Sequence, residues 1–74
     1  MQVTVELFSY FRKSGFKGGA LELDAGATVA DLLTQLDIKR PEVGVIVING
    51  EAGTAKRRLQ AGDKVTLIPI IGGG

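Results

Sequence analysis

Gly72, Gly73 and Gly74 hold the clearest chemical potential in this 74-residue chain. They carry no side chains, so as a C-terminus they are expected to present one reactive group, the main-chain carboxylate of Gly74. Little else competes with it. The sequence has no His and no Cys, hence no side chain that titrates near neutral pH, no thiol nucleophile and no usual zinc or iron–sulfur ligand set. These absences argue against most enzyme mechanisms and against a bound metal or cofactor.

A domain of this size buries only about 60% of the surface its unfolded chain exposes, so a deep substrate pocket would compete with the core for the same apolar residues. Nine Lys and Arg against eight Asp and Glu give a net charge of +1, too balanced for strong nucleic-acid binding by counterion release. Two basic clusters, Arg12-Lys13 and Lys56-Arg57-Arg58, read first as solvated loops. No apolar run is long enough to span a bilayer, and the opening MQVTVELF lacks a signal-type pattern. Without cysteines for disulfides, a reducing compartment fits best. The expectation is a cytoplasmic protein, monomeric when free, with neither nucleic acid nor membrane as a partner.

The elements that must position the tail follow from periodicity. Val3, Val5 and Leu7 alternate with Gln2, Thr4 and Glu6 as a half-buried strand; Phe8 breaks the polar face. After a loop over residues 12–19, Leu21 and Leu23 alternate with Glu22 and Asp24, which predicts a hairpin with a long connection. Thr28-Val29-Ala30-Asp31 has the form of a capping box, a hydroxyl followed three residues later by a carboxylate. Val29, Leu32, Leu33 and Leu36 then mark one apolar stripe of a short helix.

Residues 43–48 are continuously apolar, which fits a strand shielded on both faces or one whose outer face meets a partner. Asn49-Gly50 signals a tight turn. Residues 51–62 are polar around a single core anchor, Leu59, and residues 64–71 form a last strand in which Val65 and Leu67 face the helix. Pro69 donates no ladder hydrogen bond and belongs where pairing ends. One helix on a mixed sheet of four to five strands makes an α+β protein of two layers. With first and last strands parallel across a crossover that carries the helix, the architecture is a β-grasp, or ubiquitin-like, roll. Residues 1–71 form the domain and 72–74 a glycine tail.

The opening Val-Glu-Leu-Phe-Ser-Tyr-Phe-Arg, the Ala27-Thr28-Val29-Ala30-Asp31-Leu32-Leu33 helix start, the Leu59-x-x-Gly62-Asp63 approach to the last strand and the terminal Gly73-Gly74 occur in order along the whole chain. In these features it resembles the MoaD/ThiS family of β-grasp sulfur carriers, which includes the small subunit of molybdopterin synthase and the thiamine-pathway sulfur carrier. The resemblance implies a co-substrate in place of an enzyme. An E1-like partner consumes ATP to adenylate the Gly74 carboxylate, and a sulfur donor displaces AMP to leave a thiocarboxylate. It also implies Gly73 as part of the reacting end and the molybdopterin synthase large subunit as a further partner. Activation has to come from outside, because this chain holds no nucleotide-binding loop and no acid–base side chain of suited pKa.

Glycines let the tail enter a channel too narrow for a Cβ, and residues 70–74 extended span roughly 14 Å. Holding that tail costs about 1 kcal/mol or more per residue, which a docking face must offset. Candidates for that face are Phe8, Ile46 or Ile48, and Ile68, with Pro69, Ile70, Ile71 and Gly72 at the tail's root, and Lys56, Arg57 and Arg58 steering toward an acidic partner. Core packing is the competing reading for each apolar residue. Two details depart from the family pattern. Gly72 adds a third glycine, and the strand ends in the single proline Pro69, which, with Leu7-Phe8, leans toward the molybdopterin type (molybdenum or tungsten cofactor assembly). Thiamine and tRNA-thiolation carriers remain alternatives, as does a ubiquitin-like modifier joined to lysine through Gly74.

Overall fold

The chain builds one five-stranded sheet with a single α-helix among the residues described by the computed structural model, which are 1–7 and 18–70. The elements run β1 (Gln2–Leu7), β2 (Gly19–Glu22), α1 (Val29–Gln35), a 3-10 turn (Arg40–Glu42), β3 (Val43–Ile48), β4 (Glu51–Ala52) and β5 (Lys64–Pro69). Their order across the sheet is β2-β1-β5-β3-β4. Strands β1 and β5 pair in parallel, Thr4 opposite Lys64 through Leu7 opposite Leu67. All other pairings are antiparallel. This is the β-grasp arrangement expected from the sequence.

Alternation sets the core. Val3, Val5 and Leu7 of β1 and Val65 and Leu67 of β5 are buried and join Val29, Leu32, Leu33 and Leu36 of the helical stripe in one cluster, which Leu59 also enters. The capping box forms as the sequence predicts: the Asp31 N–H donates to Thr28 Oγ1 at 3.3 Å and the Thr28 N–H to Asp31 Oδ2 at 2.9 Å. The other end of α1 closes without a glycine. Asp37 adopts φ 59°, and the N–H groups of Asp37 and Ile38 return to the carbonyls of Thr34 and Leu33 at 3.1 and 2.9 Å, a Schellman closure with an Asp in the left-handed position. Asn49 and Gly50 both have positive φ, 52° and 86°, as the two-residue turn joining β3 to β4 requires.

Strand β3 corrects one expectation. Ile46 and Ile48 were candidates for the outer face, but they are 2% and 1% exposed and belong to the core. Val45 and Val47 point outward in their place. A bulge produces this facing. Val43 pairs with Pro69 and Val45 with Ile68, so β3 advances two residues where β5 advances one. Gly44 is the extra residue, and it shifts the alternation so that Val43, Ile46 and Ile48 all point inward. Continuous apolar character therefore does not mean burial on both faces here.

Candidate functional site: the root of the C-terminal tail

The site starts from the β3–β5 pair, because β5 runs directly into the tail. Pro69 closes the strand opposite Val43 and is buried. It is thus an inward-facing member of the predicted docking set. One residue further, the Ile70 N–H donates to the Glu42 carbonyl at 3.1 Å, which prolongs the antiparallel ladder past the proline. Ile70 itself is 52% exposed, and Val45, at the same end of the pair, is 44% exposed. Among the described residues these two are the exposed large hydrophobics. Half-buried Val47 and Ile68 extend the strip along the outer face.

The start of β5 is held just as firmly. Asp63 is 8% exposed and accepts the Gln60 N–H on Oδ2 at 2.8 Å and the Asn49 Nδ2 on Oδ1 at 2.9 Å. Its carbonyl accepts the Thr4 N–H at 2.9 Å. Asn49 in turn clasps Lys64, whose N–H donates to Asn49 Oδ1 at 2.9 Å while its carbonyl accepts the Asn49 N–H at 2.9 Å. The Gln60 amide and then the Asn49 side chain hold the Asp63 carboxyl below its usual value; burial opposes them and the Arg57 charge assists. In the sequence Asn49 signals only a turn, and Asp63 only the approach to the last strand. Their side-chain contact spans fourteen positions, and the local sequence signal stops at the turn.

Lys56, Arg57 and Arg58 are exposed, as a steering surface requires. Their backbone serves the fold: the carbonyls of Ala55 and Arg57 accept the N–H groups of Ala30 and Val29 at 2.9 and 3.0 Å, and Arg58 bridges to Thr28. The helix N-terminus is thereby satisfied from within the chain. Phe8, Ile71, Gly72, Gly73 and Gly74 lie outside the described residues. Ile46, Ile48 and Pro69 point inward, and Ile68, Ile70, Val45 and Val47 make the outer strip.

Among the described residues, no cluster of three or more His, Cys, Asp or Glu could hold a metal ion, and no helix is long and apolar enough to cross a membrane. An open depression of about 410 Å3 lies between α1 and the following loop, lined by residues such as Leu33, Ile38, Lys39 and Ala55. It includes no residue of β5 or the tail root.

Comparison with curated protein sequences returns no match. Solved structures do match. The chain is 27% identical to the putative molybdopterin converting factor subunit 1 from Pyrococcus furiosus, with 96% of this chain and 99% of that one covered and a TM-score of 0.75. SAMP1 from Haloferax volcanii is 25% identical over 100% of both chains, with a TM-score of 0.75. A complex of subunits 1 and 2 of molybdopterin-converting factor from Helicobacter pylori contributes a match at 21% identity, 100% coverage of both chains and a TM-score of 0.67, which bears on the fold alone. A family model matches residues 5–74, from within β1 through the last glycine, and the chain belongs to the ThiS family.

Proposed function

We propose that this chain is a sulfur carrier whose Gly74 carboxylate is activated by a partner and converted to a thiocarboxylate. The observation that carries the reading is the family match, which spans the β-grasp body and continues through Gly73 and Gly74. A carboxylate resists attack by a nucleophile because of its charge. In the proposed sequence, a Gly74 oxygen attacks the α-phosphate of ATP and pyrophosphate leaves. Sulfide released from a donor then attacks the acyl carbon of the adenylate, the acyl C–O bond breaks, and AMP leaves carrying that oxygen, so the acyl group ends with one oxygen and one sulfur. The E1-like partner supplies the catalysis. This chain supplies the acyl group and a surface for docking.

That surface is best assigned to the outer strip of Val45, Val47, Ile68 and Ile70, which borders the tail root and takes the place of the inward-facing Ile46 and Ile48. Apolar burial there offsets the ordering of the tail, about 1–2 kcal/mol for each residue fixed. Lys56, Arg57 and Arg58 add long-range attraction toward an acidic partner. Likeness to the Pyrococcus subunit supports molybdopterin assembly as the pathway, with the second synthase subunit as the later partner.

Intact-mass measurement after incubation with an E1-like activating enzyme, ATP and a sulfide source tests the reading. Replacement of one oxygen by sulfur at the C-terminal glycine is expected. An unchanged mass beside an enzyme shown to be active on another carrier overturns it. Full-length likeness to SAMP1 favours a second reading, in which the same activated Gly74 is passed to a lysine amine. Tagged protein recovered from cells would then appear as a ladder of covalent adducts, and recovery of the free form alone removes that reading.

A further inference from the structure

We propose that Gly44 is a positioning residue for the reacting end, a role that rests on the sulfur-carrier reading above. Its lack of a Cβ is what lets the last residues of β5 lie against the bulge of β3. A Cβ built at position 44 would stand 3.1 Å from the Pro69 carbonyl oxygen, 3.2 Å from Ile70 Cα and 3.3 Å from Ile70 N. All three are main-chain atoms, so no side-chain rotation relieves the contact. Position 44 has no left-handed φ, so what a side chain would disturb there is the close approach of two backbones and not the dihedral.

The approach has a direct consequence for the tail. Just where Gly44 admits Pro69 and Ile70, the Ile70 N–H reaches the Glu42 carbonyl at 3.1 Å. This bond ties residue 70 to the β3 side of the sheet and so helps set the point from which the remaining residues start. Anything larger at position 44 pushes the Pro69–Ile70 peptide outward and lengthens that bond. A displaced Ile70 moves the anchor from which the remaining four residues must deliver the Gly74 carboxylate. Gly44 acts through the placement of Ile70, while the body, docking strip and glycine tail keep their composition.

Two full-chain variants, Gly44→Ala and Gly44→Val, test the proposal with two readouts. Amide hydrogen exchange reports the bond itself: at Ile70 it should accelerate several-fold in the alanine variant and by roughly tenfold or more in the valine variant, with Val5 and Leu67 amides keeping their protection. Steady-state conversion by the activating enzyme should show kcat falling by about tenfold or more in the valine variant, a larger change than the rise in KM that displacing Ile70 within the docking strip brings, because alignment of the reacting end is lost as well. Alanine, which demands shifts of only a few tenths of an ångström, should fall between. If the valine variant fails to fold, the alanine variant carries the comparison. Unchanged Ile70 exchange, or faster exchange with unchanged kcat, overturns the proposal. A rise in KM alone assigns Gly44 to docking and also overturns it. Wild-type protein that is never converted, with exchange at Ile70 responding as expected, removes the sulfur-carrier reading and the catalytic role with it, while the structural effect of Gly44 stands.

Discussion

Asn49 and Asp63 clamp the start of β5 from opposite sides of the chain: the Asn49 amide donates to Asp63 Oδ1 at 2.9 Å while its oxygen accepts the Lys64 N–H at 2.9 Å. The pair joins the β3–β4 turn to the strand that leads to the tail. Its strength lies in a carboxylate with two donors and little exposure, so leaving one donor without a partner costs more than the bond itself gains.

Asp63→Ala should therefore destabilise the protein by about 1–3 kcal/mol, and Asn49→Ala by a similar amount with the added strain of a left-handed alanine. Urea unfolding checks both. The pH dependence has a definite sign. The folded pKa of Asp63 lies below its usual value of 3.8, so its contribution is fully present above the unfolded pKa and is lost as pH falls through the folded one. Wild-type stability should decline more steeply than that of Asp63→Asn below about pH 4. Parallel curves for the two proteins would reject this assignment.

The capping box at the head of α1 predicts a smaller loss. Thr28→Ala removes the acceptor for the Asp31 N–H and should cost about 1 kcal/mol. In a domain of this size that lowers the melting temperature by about 4–8 °C. Thr28→Ser should recover most of it, because the oxygen remains.

Leu67 is fully buried between the sheet and the helix. Leu67→Ala should cost about 2–5 kcal/mol through lost burial and the cavity left behind, a large share of the total for a domain of this kind, about 5–15 kcal/mol. Thermal or denaturant unfolding will show whether β5 contributes on this scale.

Val45→Asp and Ile70→Asp separate docking from folding. Both positions are exposed, so stability should change by no more than about 0.5–1 kcal/mol. With the activating enzyme, KM should rise about tenfold or more for each, the effect of placing a charge in an apolar contact. Equal KM values for variant and wild type would move the docking face elsewhere. Lys56→Glu with Arg57→Glu should slow association chiefly at low ionic strength, since screening removes exposed-charge attraction.

Much of the fold was legible because its signals are local. Alternation at Val3, Val5 and Leu7, the spacing of Val29, Leu32, Leu33 and Leu36, the Thr28–Asp31 box and the Asn49-Gly50 turn each depend on residues a few positions apart, and each appears where the sequence puts it. Closure of α1 at Asp37 was not legible, since an aspartate seldom marks a left-handed cap and no glycine stands there. Residues 43–48 misled for a different reason. In an unbroken run of apolar side chains, period gives no face, and only the bulge at Gly44 fixes which of them turn inward.

The sequence by itself determined the set of elements, the apolar stripe of the helix, the membership of Leu59 in the core and the glycine character of residues 72–74. Tertiary structure alone decided that Ile46 and Ile48 pack inside while Val45 and Ile70 face outward, that Asn49 meets Asp63, and that Gly44 lies against Pro69 and Ile70. The division has one physical cause. Propensity and period act within a turn or a strand, whereas facing, bulges and close backbone approach exist only once β5 has paired with β3 in a particular register.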